Sequence, residues 1–236
     1  MMRKFTTVLF GIIAIGLITV ACKDTKEKGD PEETAPQQTE TATDPSKIEA
    51  SENKENIAVL NANLATEDDL IGTGLSEEIV AQILEQRPFL AMNDFDALLG
   101  SEMDKATLYQ KIFVPFNLNT TAEADFKMIP GVGDRMAHEF EEYRPYISIQ
   151  QFRREIGKYV DESEVARYEN YVFVPIDLNT ASEENIKALP GVGSRMAHEF
   201  EEYRPYSSME QFRKEIGKYV DDKELARLER FVYIKE

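Results

Sequence analysis

Residues Arg135–Tyr146 and Arg195–Tyr206 are one and the same run, Arg-Met-Ala-His-Glu-Phe-Glu-Glu-Tyr-Arg-Pro-Tyr, set sixty positions apart. An internal period of this kind marks tandem structural units. The period reaches beyond the identical run. Leu118-Asn119-Thr120 and Leu178-Asn179-Thr180 open two units at the same spacing. A diverged unit lies upstream, where Asn63 aligns with Asn119 and Asn179, and Arg87-Pro88-Phe89 aligns with Arg144-Pro145-Tyr146. The expected units are therefore 58–117, 118–177 and 178–236.

Within a unit the local signals predict short helices. In the third they fall at 182–188, 194–203, 208–216 and 222–230. Thr180-Ala181-Ser182-Glu183 has the spacing of a capping box, and Ser207-Ser208-Met209-Glu210 and Asp221-Asp222-Lys223-Glu224 offer caps further on. Met196, Ala197, Phe200 and Tyr203 share one face at helical spacing. Each unit closes on an apolar or aromatic run, Ile112-Phe113-Val114, Val172-Phe173-Val174 or Val232-Tyr233-Ile234, able to pack back on its own unit or on a neighbour. Pro115 and Pro175 mark the junctions. The fold class is all-α, with four helices in each of three units.

The stretch Leu189-Pro190-Gly191-Val192-Gly193-Ser194-Arg195 joins the first two helices of the third unit, and Ile129-Pro130-Gly131-Val132-Gly133-Asp134-Arg135 does so in the second. Pro and the first Gly stop one helix, and the second Gly admits a tight turn and close approach of another molecule. The opening N–H groups of the next helix lack partners within it and are suited to an anion. A Pro-Gly-Val-Gly hairpin between short helices resembles the helix-hairpin-helix family, and the preceding Leu-Asn-Thr resembles its ComEA-type branch. The resemblance covers roughly residues 60–236. It implies sequence-independent binding of DNA phosphates by hairpin backbone amides, and the branch implies an envelope receptor in DNA uptake.

Carried onto this chain, the phosphate-binding set is Gly131, Val132, Gly133 and Arg135 with Lys127, and Gly191, Val192, Gly193 and Arg195 with Lys187. The plainer alternative makes the glycines a tight turn only, with each Arg paired to Glu139 or Glu199 four residues on. The first unit departs from the pattern. Thr73-Gly74-Leu75-Ser76 lacks the second glycine and Glu77-Glu78 stand where the Arg should be, so that unit is expected to be structural. Gly157 and Gly217, each alone in its turn, suit a helix end better than a phosphate nest. Arg153, Arg154 and Lys158, with Arg213, Lys214 and Lys218, form either a flank for a nucleic-acid backbone or a solvated face.

Net charge works against DNA. The chain carries a formal −17, of which −7, −5 and −2 fall on residues 60–117, 118–177 and 178–236. Acidity thus falls toward the end with the cleanest hairpin, and few phosphate contacts would give weak, salt-sensitive binding.

The first 57 residues read differently. Arg3 and Lys4 precede an apolar run from Val8 to Ala21, short for a membrane span of about 20 residues. It ends at Cys22, the single cysteine, so no intramolecular disulfide exists. Ile18-Thr19-Val20-Ala21-Cys22 resembles a bacterial lipobox, with Thr19 where Leu is usual. That resemblance implies a signal peptide over 1–22 and lipidation of Cys22. The alternative is an uncleaved anchor with an incidental cysteine. Residues 23–57, rich in Thr, Glu, Lys, Pro and Gln, are expected to be a disordered acidic linker with a reach on the order of 30 Å.

No catalytic constellation, metal site or cofactor motif is visible. His138 and His198, the two histidines, have no second His or Cys nearby. The paired acids Glu139, Glu141 and Glu142, with Glu199, Glu201 and Glu202, lack a nucleophile or metal set and are expected to form a solvated face. The expected protein is a lipid-anchored, non-enzymatic DNA binder of the bacterial envelope, periplasmic or surface-exposed. The alternative is an envelope interaction scaffold that keeps the fold and binds a protein partner.

Overall fold

The computed structural model describes residues 59–235. The expected signal peptide, Cys22 and the linker lie outside the described residues. The described chain is mostly helical, in keeping with the all-α expectation, and one order of elements recurs three times. First come β1 (Leu60–Asn61), α1 (Glu67–Gly72), α2 (Glu77–Gln86), α3 (Met92–Leu98), α4 (Lys105–Leu108) and β2 (Ile112–Phe113). Next come β3 (Phe116–Asn117), α5 (Glu123–Phe126), α6 (Asp134–Glu142), α7 (Ile149–Ile156), α8 (Glu162–Glu169) and β4 (Val172–Phe173). Last come β5 (Ile176–Asp177), α9 (Glu183–Lys187), α10 (Ser194–Glu202), α11 (Met209–Ile216), α12 (Asp222–Glu229) and β6 (Val232–Tyr233).

Three helices of the third unit start where a side chain caps them. Ser182, Ser208 and Asp221 accept the N–H of Asn185, Gln211 and Glu224. The cap of α9 is Ser182 rather than Thr180, whose hydroxyl donates to Asp177 instead (2.7 Å). On α10, Ala197 and Phe200 are buried while Met196 and Tyr203 sit half-buried beside them.

The apolar run closing each unit returns to that unit's own beginning. It forms a two-residue parallel pair with the opening strand: Leu60 faces Ile112, Phe116 faces Val172 and Ile176 faces Val232. A parallel pair needs a long crossover, which here consists of the four helices between. Side chains of the same runs reach across the junctions. Phe113 stacks edge-on with Phe116 (5.1 Å) and Tyr171 (5.0 Å), and Phe173 with Phe231 (4.7 Å). One apolar core accordingly runs through units one and two, and a second, beginning at Phe173, fills unit three.

The Leu-Asn-Thr and Arg-Pro-Tyr motifs hold each other. Asn119 Oδ1 accepts the N–H of Tyr146 (2.7 Å) while its Nδ2 donates to the Tyr146 carbonyl (2.8 Å), and Asn179 does the same with Tyr206. In return Arg204 donates to the carbonyls of Leu178 (2.6 Å) and Ala181 (2.7 Å). The intervening Arg–Pro bond is cis in all three units. Asn63 makes the same pair of bonds to Phe89, so the diverged unit keeps this clamp.

The third unit also touches the first. Arg230 donates to the carbonyls of Phe89 (3.4 Å) and Pro115 (3.0 Å), and Lys223 donates to the Glu85 carbonyl (3.0 Å).

Candidate nucleic-acid interface

Hairpins two and three have one geometry. Gly131 and Gly191 adopt left-handed backbone, with φ of +82° and +73°, which a side chain would strain. The valine that follows is buried, and its N–H is spent inside the turn. Val132 donates to Ile129 (3.0 Å) and Val192 to Leu189 (3.1 Å). Val132 and Val192 therefore anchor the turn, and their amides are not free for a phosphate. The free donors come next. Gly133 and Gly193 occupy the N-cap positions of α6 and α10 with no side chain to fill them. The first N–H groups of both helices are left open at the positive end of the helix dipole.

Hairpin one is built differently. Gly74 still turns the chain, at φ +95°, but Ser76 caps α2 and its hydroxyl accepts the Ile79 N–H (3.4 Å). Glu77 and Glu78 follow, both exposed in the first turn. The donors that stand open in the other hairpins are here capped and screened by carboxylates.

Arg135 and Arg195 are exposed, and among the described residues neither forms a salt bridge with Glu139, Glu199 or any other acid. Arg135 lies 5.9 Å from the centre of the Tyr159 ring. The lysines are engaged: Lys127 pairs with Asp134 (2.8 Å) and Lys187 with Glu183 (2.6 Å). The Asp134 contact holds the Lys127 ammonium above its usual value and the carboxyl below its own. Asp134 heads α6, in the field a phosphate would use, whereas α10 begins with the neutral Ser194.

Behind each hairpin stands a cation that inspection of the hairpin motif alone passes over. Arg227 on α12 is 1% exposed, donates to the Pro190 carbonyl (2.6 Å) and binds both carboxylate oxygens of Glu224 (2.7 and 2.6 Å). Arg167 on α8 binds Glu164 in the same forked way, and its Nη2 would lie 3.2 Å from a Cβ at position 131. In unit one Lys111 donates to the Thr73 carbonyl (3.0 Å). The signal was present in the sequence: Ala166-Arg167 and Ala226-Arg227 repeat at the sixty-residue spacing.

The surroundings of the two glycine hairpins are not alike. A Cβ at Gly191 would sit 2.5 Å from Leu64 Cδ1, because the first unit lies against that side of hairpin three. Gly133 and Gly193 face open space.

The other candidates resolve into structural roles. Arg153 pairs with Glu169 (2.6 Å), Arg154 with Glu155 (3.0 Å), Lys158 with Glu155, Arg213 with Glu229, and Lys214 (4.0 Å) and Lys218 with Glu215. These bases form a salt-bridged helix face. Gly157 and Gly217 close α7 and α11 in right-handed backbone, and a Cβ there would meet the carbonyl oxygen of Arg153 or Arg213 at 2.7 or 2.6 Å. Steric room explains them. His138 and His198 are exposed beside Glu142 and Glu202 (3.9 and 3.6 Å), and no cluster of metal-binding side chains occurs among the described residues. Glu199 corrects the expectation of a solvated acidic face. It is 9% exposed, on the inner flank of α10 against Tyr219, whose hydroxyl bonds that of Tyr203 (2.7 Å).

Residues 172–233 match the family model of the helix-hairpin-helix motif. The matched stretch runs from β4 to β6 and contains hairpin three. No curated protein and no solved structure matches the chain.

Proposed function

We infer, from a helix-hairpin-helix motif at residues 172–233, that this chain binds nucleic acid, and that its ligand is DNA held through phosphates without regard to sequence. The observation that carries the reading is the pair of bare helix starts at Gly133 and Gly193, each followed by an arginine with no acidic partner among the described residues. Backbone donors of this kind position a phosphate and read no base edge. The donor set is the amides at Gly131, Gly133, Gly191 and Gly193 and the opening turns of α6 and α10, assisted by Arg135 and Arg195. The ComEA-type resemblance and the lipobox resemblance extend the proposal to a lipid-anchored envelope protein serving DNA uptake, with no catalytic step of its own.

A binding isotherm tests this. Residues 23–236 are titrated against a fluorescein-labelled duplex of mixed sequence, read by anisotropy across a salt series. Affinity should fall with salt, with a slope of about −0.9 per neutralised phosphate, and should not depend on sequence. Gly133→Asp with Gly193→Asp should abolish binding while leaving helicity intact, because the new carboxylate takes the same N–H groups. No binding by the unmodified chain at low salt ends the DNA reading. The anchor is tested separately: Cys22→Ser should release the protein from the membrane fraction.

A second reading has one observation behind it. Hairpin one is closed by Ser76 and sits in the most acidic unit, which suits a basic protein partner in the envelope. Recovery of a defined partner, unaffected by nuclease and lost on neutralising Glu77 and Glu78, would favour a scaffold.

A further inference from the structure

Hairpins two and three are nearly identical in sequence, yet the first unit treats them oppositely. Beside hairpin three it places Leu64 over Gly191, and the arginine behind that turn, Arg227, is buried. Beside hairpin two it leaves a cleft of about 740 Å³ between its own last helix and the turn. Pro130 and Gly131 lie in this cleft, with Lys111 and Gln110 from unit one on one side and Arg167 and Asn170 from α8 on the other. Among the described residues that line it the one acid is Glu164, already bound at both oxygens by Arg167.

We propose that this cleft receives the sugar-phosphate backbone of a nucleic-acid strand, continuing from a phosphate held at hairpin two. The proposal rests on the nucleic-acid reading above and adds a track of side chains that the hairpin motif does not contain. Lys111 spends one of its three N–H donors on the Thr73 carbonyl, and Arg167 spends Nε and Nη2 on Glu164. Donors therefore remain on both cations. Gln110 and Asn170 add neutral amide groups of the sort that bond phosphate and sugar oxygens. On a chain with a formal charge of −17, two cations facing a cleft with a single, neutralised acid make a local reversal of sign. Unit one, whose own hairpin is capped, thereby acquires a part in binding: it supplies Lys111 to its neighbour.

Anisotropy with the full chain in detergent micelles and the labelled duplex decides the matter. Gln110→Arg adds a cation inside the cleft, and Ala81→Arg adds the same charge at an exposed site on α2, outside the cleft lining. Gln110→Arg should raise affinity roughly fivefold at low salt and steepen the log–log salt slope by about 0.9, with Ala81→Arg near the parent. Lys111→Gln should weaken binding by a similar factor and make the slope shallower by about 0.9. Its melting temperature is measured alongside, since Lys111 also holds hairpin one. If the parent binds but Gln110→Arg and Ala81→Arg behave alike, the cleft is not the track and hairpin recognition stands without it. If the parent fails to bind at any salt concentration, both readings fall.

Discussion

Asp177 shows how one atom can set the acid sensitivity of a unit. Burial alone would raise its carboxyl, but bonds from the Thr180 hydroxyl (2.7 Å) and the N–H groups of Asn179 (3.2 Å) and Lys235 (3.4 Å) hold it below the usual value. With the folded value below the unfolded one, the stabilisation is complete above the unfolded value. It is lost as pH falls through the folded value, on the acid side of about pH 4. Units one and two place Asn61 and Asn117 here, each accepting the same backbone bond at 2.9 Å. Asp177→Asn should therefore leave unit three slightly less stable at pH 7 and relatively more stable near pH 3. Melting curves followed by circular dichroism at both pH values check this; parallel losses in parent and variant would refute it. The same scale shows what sequence alone could deliver at the site. Gly131 and Gly191 were legible because a left-handed turn demands them, whereas Gly133 and Gly193, expected to admit the turn, are extended in a conformation open to any residue. The inward amides of Val132 and Val192 are a local matter, bonded three residues back within the turn, but that Leu64 stands against Gly191 depends on atoms from elsewhere in the fold, and no local pattern encodes it.

At the scale of elements, the caps of α10 and α11 behave in opposite ways. Ser208 accepts the Gln211 N–H at 3.2 Å, and Ser208→Ala should cost about 1 kcal/mol, seen as a lower midpoint in urea. Gly193 leaves α10 uncapped, so Gly193→Asp should gain a few tenths of a kcal/mol while removing nucleic-acid binding at that hairpin. A mutation that strengthens the fold and weakens binding separates a functional glycine from a merely structural one. A drop in both would show that Gly193 serves the turn alone. The helices themselves were readable from periodicity and caps, and those of unit three fall within about a residue of the expected bounds. The strands were not. A two-residue strand is too short to display alternation, and the closing runs suited either their own unit or a neighbour. Pairing became definite only when four packed helices brought both ends of a unit together.

Across the whole molecule, the feature farthest from the repeat pattern is Arg230, which ties unit three to unit one. Its guanidinium lies over the rings of Phe173 (5.3 Å) and Phe231 (5.8 Å) and donates to two carbonyls outside its own unit. Burial, reinforced by the neighbouring Arg227 charge, pushes its pKa down to about 10. Among the described residues it has no carboxylate partner, so carbonyls and ring faces must offset its desolvation. Units one and two share one core and should unfold together, whereas unit three has its own. Arg230→Met keeps the apolar stem and deletes the donors to Phe89 and Pro115. In calorimetry it should split a single transition into two, with unit three melting first. Hydrogen exchange should rise at residues 176–235 before it rises at 60–174. Loosening this contact would also draw Leu64 away from Gly191. If hairpin three binds phosphate, the same variant should then hold DNA more tightly at 25 °C than the parent, despite losing a positive charge. A variant that melts as the parent does, in one transition at the same temperature, would mean that the three units are held together by their aromatic junctions, and that Arg230 is a passenger.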